Sequence, residues 1–172
     1  MNSQKKIIKV YLIATEPSGD VIGSNLIKSL KKINKNRVQF YGIGGPKMIK
    51  SGLVKSLFSI NELSIFGFFE IIPKIFKVIS LLKKTEKDLL KIKPNILVTI
   101  DSPDFNFRIL KRIHHKTPEI KKIHYVAPTV WAWRSGRAKY LSNYIDKLLT
   151  ILPFENKYFK KYNLNTKFVG HP

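Results

Sequence analysis

Apolar runs of strand length alternate with segments of helical spacing along the whole chain. The runs are residues 7–14, 38–43, 95–100, 122–127, 146–152 and 167–169, and they are rich in Ile, Val and Leu rather than strictly alternating. Such runs fit strands buried on both faces, as in parallel sheets. Between them, Val21, Leu26, Ile27, Leu30 and Ile33 recur at helical spacing after the first run. The same spacing predicts helices over about 68–92, 104–115, 135–143 and 155–162, while 46–63 is expected to be less regular. Strands that alternate with helices make βαβ units. The expected fold class is therefore α/β: a doubly wound, mostly parallel sheet with helices on both faces. Neither an internal repeat nor a low-complexity linker interrupts it.

The stretch Asn95-Ile-Leu-Val-Thr-Ile-Asp-Ser-Pro-Asp-Phe-Asn106 carries the most chemistry. Its apolar half stops at Asp101, and Pro103 forbids simple continuation of the strand. Asp104 then suits the N-cap of a helix through Phe105, Ile109 and Ile113. Asp101, Asp104 and Asn106 thus gather where a strand ends, and ligands of open α/β sheets bind outside the carboxyl ends of strands. Asp101 has no capping duty and is the stronger functional candidate. Glu16 stands at the end of the first strand and would approach Asp101 if those strands are neighbours. Two carboxylates there suit acid–base work or sugar hydroxyls. The turn Ser18-Gly19-Asp20 opens a helix, whose free N–H groups favour an anion or hydroxyl. Gly44 and Gly45, in Gly42-Ile-Gly-Gly-Pro46, either admit a ligand to the backbone or serve a tight strand-to-helix turn. Neither glycine-bearing turn has the spacing of a dinucleotide fingerprint. Trp133 and Arg134, with Trp131 and Arg137, fit the floor of a sugar or phosphate site, or the packing of a helix on the sheet. His124 lies within an apolar run and reads as structural, whereas His114 and His115 end a helix, expected to be exposed there. No spacing of His and carboxylates suggests a metal.

Composition narrows the classes. The chain has 172 residues, 44% hydrophobic, which suits one domain with a real core. It has no cysteine, so disulfides and thiolate metal sites are excluded. The opening Met-Asn-Ser-Gln-Lys-Lys leads directly into a short apolar run, and no secretory signal is expected. Lys and Arg number 32 against 11 Asp and Glu, a formal charge of +21, and all but five of the cations are lysine. They are dispersed, which fits solvated faces or an anionic lipid surface. Nucleic acid fits less well, since no zinc finger, basic zipper or RNA-binding aromatic signature is present. In the predicted helix after Gly67, Phe68, Ile71, Ile72, Ile75, Phe76, Val78, Ile79 and Leu82 share one half of the wheel and Lys74, Lys77, Lys83, Lys84 and Lys87 the other. Such a helix either covers the sheet or lies on an anionic membrane.

Six motifs in order extend this reading. They are Glu16-Pro-Ser-Gly-Asp20, Tyr41-Gly-Ile-Gly-Gly-Pro-Lys-Met48, Asp101-Ser-Pro-Asp-Phe-Asn106, His124-Tyr-Val-Ala-Pro-Thr-Val-Trp-Ala-Trp-Arg134, Leu152-Pro-Phe-Glu155 and Phe168-Val-Gly-His-Pro172. From about residue 7 onward the chain resembles the amino-terminal half of the lipid-A-disaccharide synthases. Two positions depart from the family pattern: Thr15 replaces the usual Gly before the Glu, and Phe66 the usual Met before Gly67.

The resemblance implies the amino-terminal, Rossmann-like half of a two-domain, B-type glycosyltransferase. The reaction it implies joins UDP-2,3-diacylglucosamine to 2,3-diacylglucosamine 1-phosphate, giving a β-1,6-linked disaccharide and UDP, without metal or other cofactor. The setting it implies is the cytoplasmic side of the inner membrane of Gram-negative bacteria, with peripheral attachment. It matches Asp101 to the general base, and Glu16, Ser18, Gly19, Asp20, Gly44, Gly45, Asp104, Asn106, Trp133 and Arg134 to substrate binding. Residues 1–172 would be the acceptor-side domain, with the nucleotide-sugar domain absent from the chain, so that it pairs with a separate carboxyl-terminal half or self-associates. The other function class is a non-catalytic module that binds a nucleotide sugar or anionic lipid.

Overall fold

The computed structural model describes residues 7–34, 37–64, 71–129 and 136–171. Among them, β1 (Ile8–Ala14), β2 (Val38–Ile43), β3 (Ile96–Ile100), β4 (Lys121–Tyr125), β5 (Lys147–Thr150) and β6 (Thr166–Phe168) form one sheet in the order β2-β1-β3-β4-β5-β6. Every pairing is parallel. The connecting helices are α1 (Pro17–Ile33), α2 (Pro46–Ser51), α3 (Asn61–Ser64), α4 (Ile71–Ile92), α5 (Pro103–Ile113), α6 (Gly136–Ser142) and α7 (Asn156–Lys160). The doubly wound α/β expectation is met. The short helix α2 falls in the segment expected to be irregular. The predicted start of the long fourth helix, residues 68–70, lies outside the described residues.

Strand β1 shows why both faces must be covered. Its side chains alternate, and Val10 through Ala14 are all buried. Val10, Leu12 and Ala14 pack with Ile22, Ile27, Phe40 and Met48 under α1 and α2. Tyr11 and Ile13 join Leu81, Leu82, Leu89, Phe105 and Ile109 under α4 and α5. Tyr11 is fully buried, and its hydroxyl donates to Asp88 at 2.7 Å, which anchors α4. Glu86 of α4 pairs with Arg112 of α5 at 3.2 Å and with Lys116. The apolar faces of α4 and α5 and this ion-pair cluster hold one helical layer; α1 and α2 form the other.

The sheet order carries the functional consequence. β1 is flanked by β2 on one side and β3 on the other, so the chain leaves β1 and β3 toward opposite faces. The carboxyl ends of these strands therefore frame a crevice, the place where doubly wound sheets bind ligands.

His124 of β4 is fully buried, its Nδ1 is 2.7 Å from Thr99 Oγ1 and its ring meets the edge of Phe107. Burial pushes its pKa down to about 3, so the ring is neutral at ordinary pH. The folded pKa lies below the unfolded value, so the unfolded chain binds the extra proton as pH falls between the two. Stability should therefore decrease from about pH 6.5 toward pH 3, by several kcal/mol from this group. Urea denaturation at stepped pH should show that slope reduced in His124→Gln.

Candidate functional site

The β1–α1 turn forms one wall of the crevice. Glu16 precedes α1, Pro17 occupies its first turn, and Glu16 and Ser18 are exposed. Gly19 lies beneath them: a Cβ there would stand 3.2 Å from Ala14 Cβ and 3.6 Å from the Ile100 carbonyl oxygen, so a larger residue would push the turn off the sheet. Thr15 is buried.

The β3–α5 turn forms the facing wall. Asp101 and Ser102 both have positive φ, +50° and +43°. The Asp101 amide donates to the Tyr125 carbonyl at 2.9 Å. Ser102 is buried, and its hydroxyl donates to Glu16 at 2.8 Å, joining the two walls. The Asp101 carboxylate reaches the Ser18 hydroxyl. Partial burial raises its pKa above the ordinary carboxylate value, and the charge of Glu16 adds to the rise. Hydrogen bonds from the Ser102 amide and the Ser18 hydroxyl oppose it. The result is a carboxylate that is more basic than usual and half-open to the crevice. Glu16 and Asp101 thus come together as the sequence suggested, and Ser18 joins them. Ser102 was missed; a serine between a strand-ending Asp and a Pro is the signal that pointed to it.

Other candidates are drawn inward. Asp20 is buried, and its carboxylate accepts from the backbone amides of Gly45, Lys47 and Met48 at 2.9, 3.0 and 2.9 Å. It therefore caps α2 from α1. Gly44 and Gly45 are buried beside it: a Cβ at Gly45 would meet Asp20 Oδ2 at 2.5 Å, and one at Gly44 would meet Met48 Sδ at 2.6 Å. These glycines serve the tight strand-to-helix turn. Asn106 is fully buried beneath the bend, and its Nδ2 donates to the Ile100 and Asp101 carbonyls at 3.2 and 2.7 Å.

The expected N-cap role of Asp104 is corrected. Ser102 is the N-cap of α5, in a left-handed conformation and without a side-chain cap bond. Pro103 takes the first helical position, which moves Asp104 into the first turn. There its side chain is 84% exposed and pairs with Arg137 of α6 at 3.1 Å. Trp133 and Arg134 lie outside the described residues. His115 is exposed as expected, whereas His114 is only half so and stacks edge-on against Tyr144. In the Leu152–Glu155 motif, Glu155 is buried and accepts from the amides of Ile151 and Leu152, both at 3.0 Å, so it closes its own turn.

The two acids should separate in a stability measurement. Asp20→Ala leaves three amides without their acceptor in a buried position and should cost about 3 kcal/mol or more. Asp104→Ala removes an exposed pair and should cost less than about 1 kcal/mol. Chemical denaturation of both variants checks the contrast; equal losses would contradict it.

Comparison with known proteins agrees with this geometry. A family model described as lipid-A-disaccharide synthetase matches residues 10–172. A lipid-A-disaccharide synthase of Rhodospirillum centenum is 44% identical over 167 residues, covering 97% of this chain and 41% of the relative. That of Rickettsia bellii is 44% identical over 164 residues, covering 95% and 42%, and that of Rickettsia akari is 46% identical over 164 residues, covering 95% and 41%. The chain thus spans about two fifths of the length of these relatives. The match includes both turns that frame the crevice, and the chain belongs to the lipid-A-disaccharide synthetase family.

Proposed function

We propose that residues 1–172 are the acceptor-side domain of a glycosyltransferase of lipid A biosynthesis. In this reading UDP-2,3-diacylglucosamine is the donor and 2,3-diacylglucosamine 1-phosphate the acceptor. The observation that carries it is the raised, half-open Asp101 carboxylate facing Ser18 and Glu16 in the crevice. The acceptor 6-hydroxyl gives its proton to Asp101 as its oxygen bonds to the anomeric carbon of the donor. The bond from that carbon to the UDP phosphate breaks, and its electron pair leaves with UDP. The leaving diphosphate needs little acid help, so one base suffices, unlike the carboxylate pair of glycoside hydrolysis. Glu16 keeps Asp101 basic through its charge and orients the bend through Ser102.

This reading needs a second wall to hold the donor against the acceptor. A nucleotide-sugar domain on a carboxyl-terminal half supplies it. Phe168 and Val169, 44% and 42% exposed at the end of β6, suit the face that such a domain or a second copy of the chain covers. In the chain joined to a carboxyl-terminal half, Asp101→Asn should reduce turnover by roughly 10²-fold or more. Its thermal midpoint at neutral pH should not fall, because the variant removes a charge that burial disfavours. Near-normal turnover would remove Asp101 from the role.

Peripheral attachment at the cytoplasmic face of the inner membrane belongs to the same proposal. Among the described residues no helix is long and apolar enough to cross a membrane. Most of α4 covers the sheet, with Leu81, Leu82 and Leu89 buried. Ile75 and Phe76, near its amino end, are 52% and 69% exposed, and Lys77, Lys83, Lys84 and Lys87 are exposed along it. That end suits insertion into an anionic lipid surface. Flotation with anionic vesicles should weaken in high salt and with Phe76→Asp. Equal flotation with neutral and anionic lipid would assign the lysines to solvation alone.

A further inference from the structure

Asp101 and Ser102 are consecutive non-glycine residues in the left-handed region. Such a pair persists where the surroundings over-determine it. The bend is held from above by the Ser102–Glu16 bond and from β4 by the Tyr125 carbonyl. From below it is held by Asn106. One Nδ2 of that residue donates to the carbonyl before the Asp101 Cα and to the carbonyl after it, Ile100 O at 3.2 Å and Asp101 O at 2.7 Å. Pinning both peptide planes fixes φ and ψ of Asp101, and with them the direction of its Cβ. Asn106 is itself fully buried, beyond the reach of a ligand. Its Oδ1 has no hydrogen-bond partner among the described residues, so the two Nδ2 bonds to the bend are the side-chain hydrogen bonds it makes there. Neither aspartate nor leucine could replace it, because each lacks the two N–H donors.

We propose that Asn106 is the positioning residue of the site: it locks the left-handed bend and so aims the Asp101 carboxylate at Ser18 and Glu16. This rests on the reading of Asp101 as the base. Released from the lock, the bend relaxes and the carboxylate turns toward water, away from Glu16, the charged group that faces it.

The test is the titration of the Asp101 carboxyl by carbon-detected NMR in the 172-residue chain, in Asn106→Leu and Asn106→Ser. In the parent chain the midpoint should lie above the ordinary ~3.9. In both variants it should move down toward that value while His124 stays neutral at pH 6, the sign that the core is intact. If the leucine variant does not fold, the serine variant, which adds no bulk, decides. A midpoint unchanged in a folded variant overturns the proposal. With the carboxyl-terminal half supplied, kcat should fall at least tenfold with acceptor KM within about twofold; a loss confined to KM also overturns it. If Asp101→Asn keeps full turnover while the Asn106 variants still move the titration, the base assignment fails and the lock stands. If Asp101→Asn loses turnover while that titration does not move, the lock fails and the base assignment stands.

Discussion

The structure around the crevice depends on one costly local conformation, the left-handed bend at Asp101 and Ser102. Left-handed backbone costs about 1–2 kcal/mol for each residue that has a Cβ. Pro103 bars Ser102 from the right-handed helical region, so the turn from β3 into α5 cannot relax by lengthening the helix. Four hydrogen bonds converge on three residues to hold it: two from Asn106, one from Ser102 to Glu16 and one from Asp101 to Tyr125. At about 1 kcal/mol net each they offset the strain. They also couple α5, β4 and the β1–α1 turn to the direction of a single carboxylate. A relaxed turn would place an aspartate at the same point in the chain but would leave its direction free.

The opposite wall is fixed by a different device. Asp20 lies in the first turn of α1, and its carboxylate accepts from three amides at the start of α2. Met48 fills the space left by two glycines: a Cβ at Gly23 would stand 2.5 Å from its Sδ, and one at Gly44 2.6 Å. Ser24 of α1 and Ser51 of α2 add a hydroxyl pair at 2.9 Å. The amino end of α1 is therefore set against α2 as well as against the sheet. Glu16 and Ser18 stand on a rigid support, and Asp20, the acid nearest them in the sequence, helps to hold that support rather than facing the crevice.

The sequence patterns explain why the fold was legible and part of the site was not. Apolar runs buried on both faces state their own structure, so β1 through β6 and the longer helices between them follow from spacing, whereas the short α2 and α3 do not. The pairing of Glu16 with Asp101 was legible because both end strands that proved to be neighbours. Capping rules favour Asp104 as the N-cap, but Pro103 starts α5 two residues earlier than that logic allows and leaves Ser102 at the cap. The sequence leaves Gly44 and Gly45 open between a ligand and a tight turn, and offers Asp20 to a ligand, because local spacing carries no record of α2. That helix is six residues long and its cap comes from another element. The resemblance matches Asn106 to substrate binding, while the structure buries it against the backbone of the bend: burial is set by tertiary packing, which the sequence does not display.

The acidity of Asp101 finally shows which electrostatic scale governs this site. A formal charge of +21 would, acting as a whole, stabilise any carboxylate and lower its pKa. The Asp101 value moves the other way. The lysines are dispersed on solvated faces, where salt screens them beyond roughly 8 Å. Burial and Glu16 act at contact distance, in a region that water only partly reaches. The two scales can therefore serve different ends in one molecule. A diffuse positive field acts on anions from a distance and is weakened by salt. The local loss of solvation keeps the Asp101 carboxylate more basic than an exposed one.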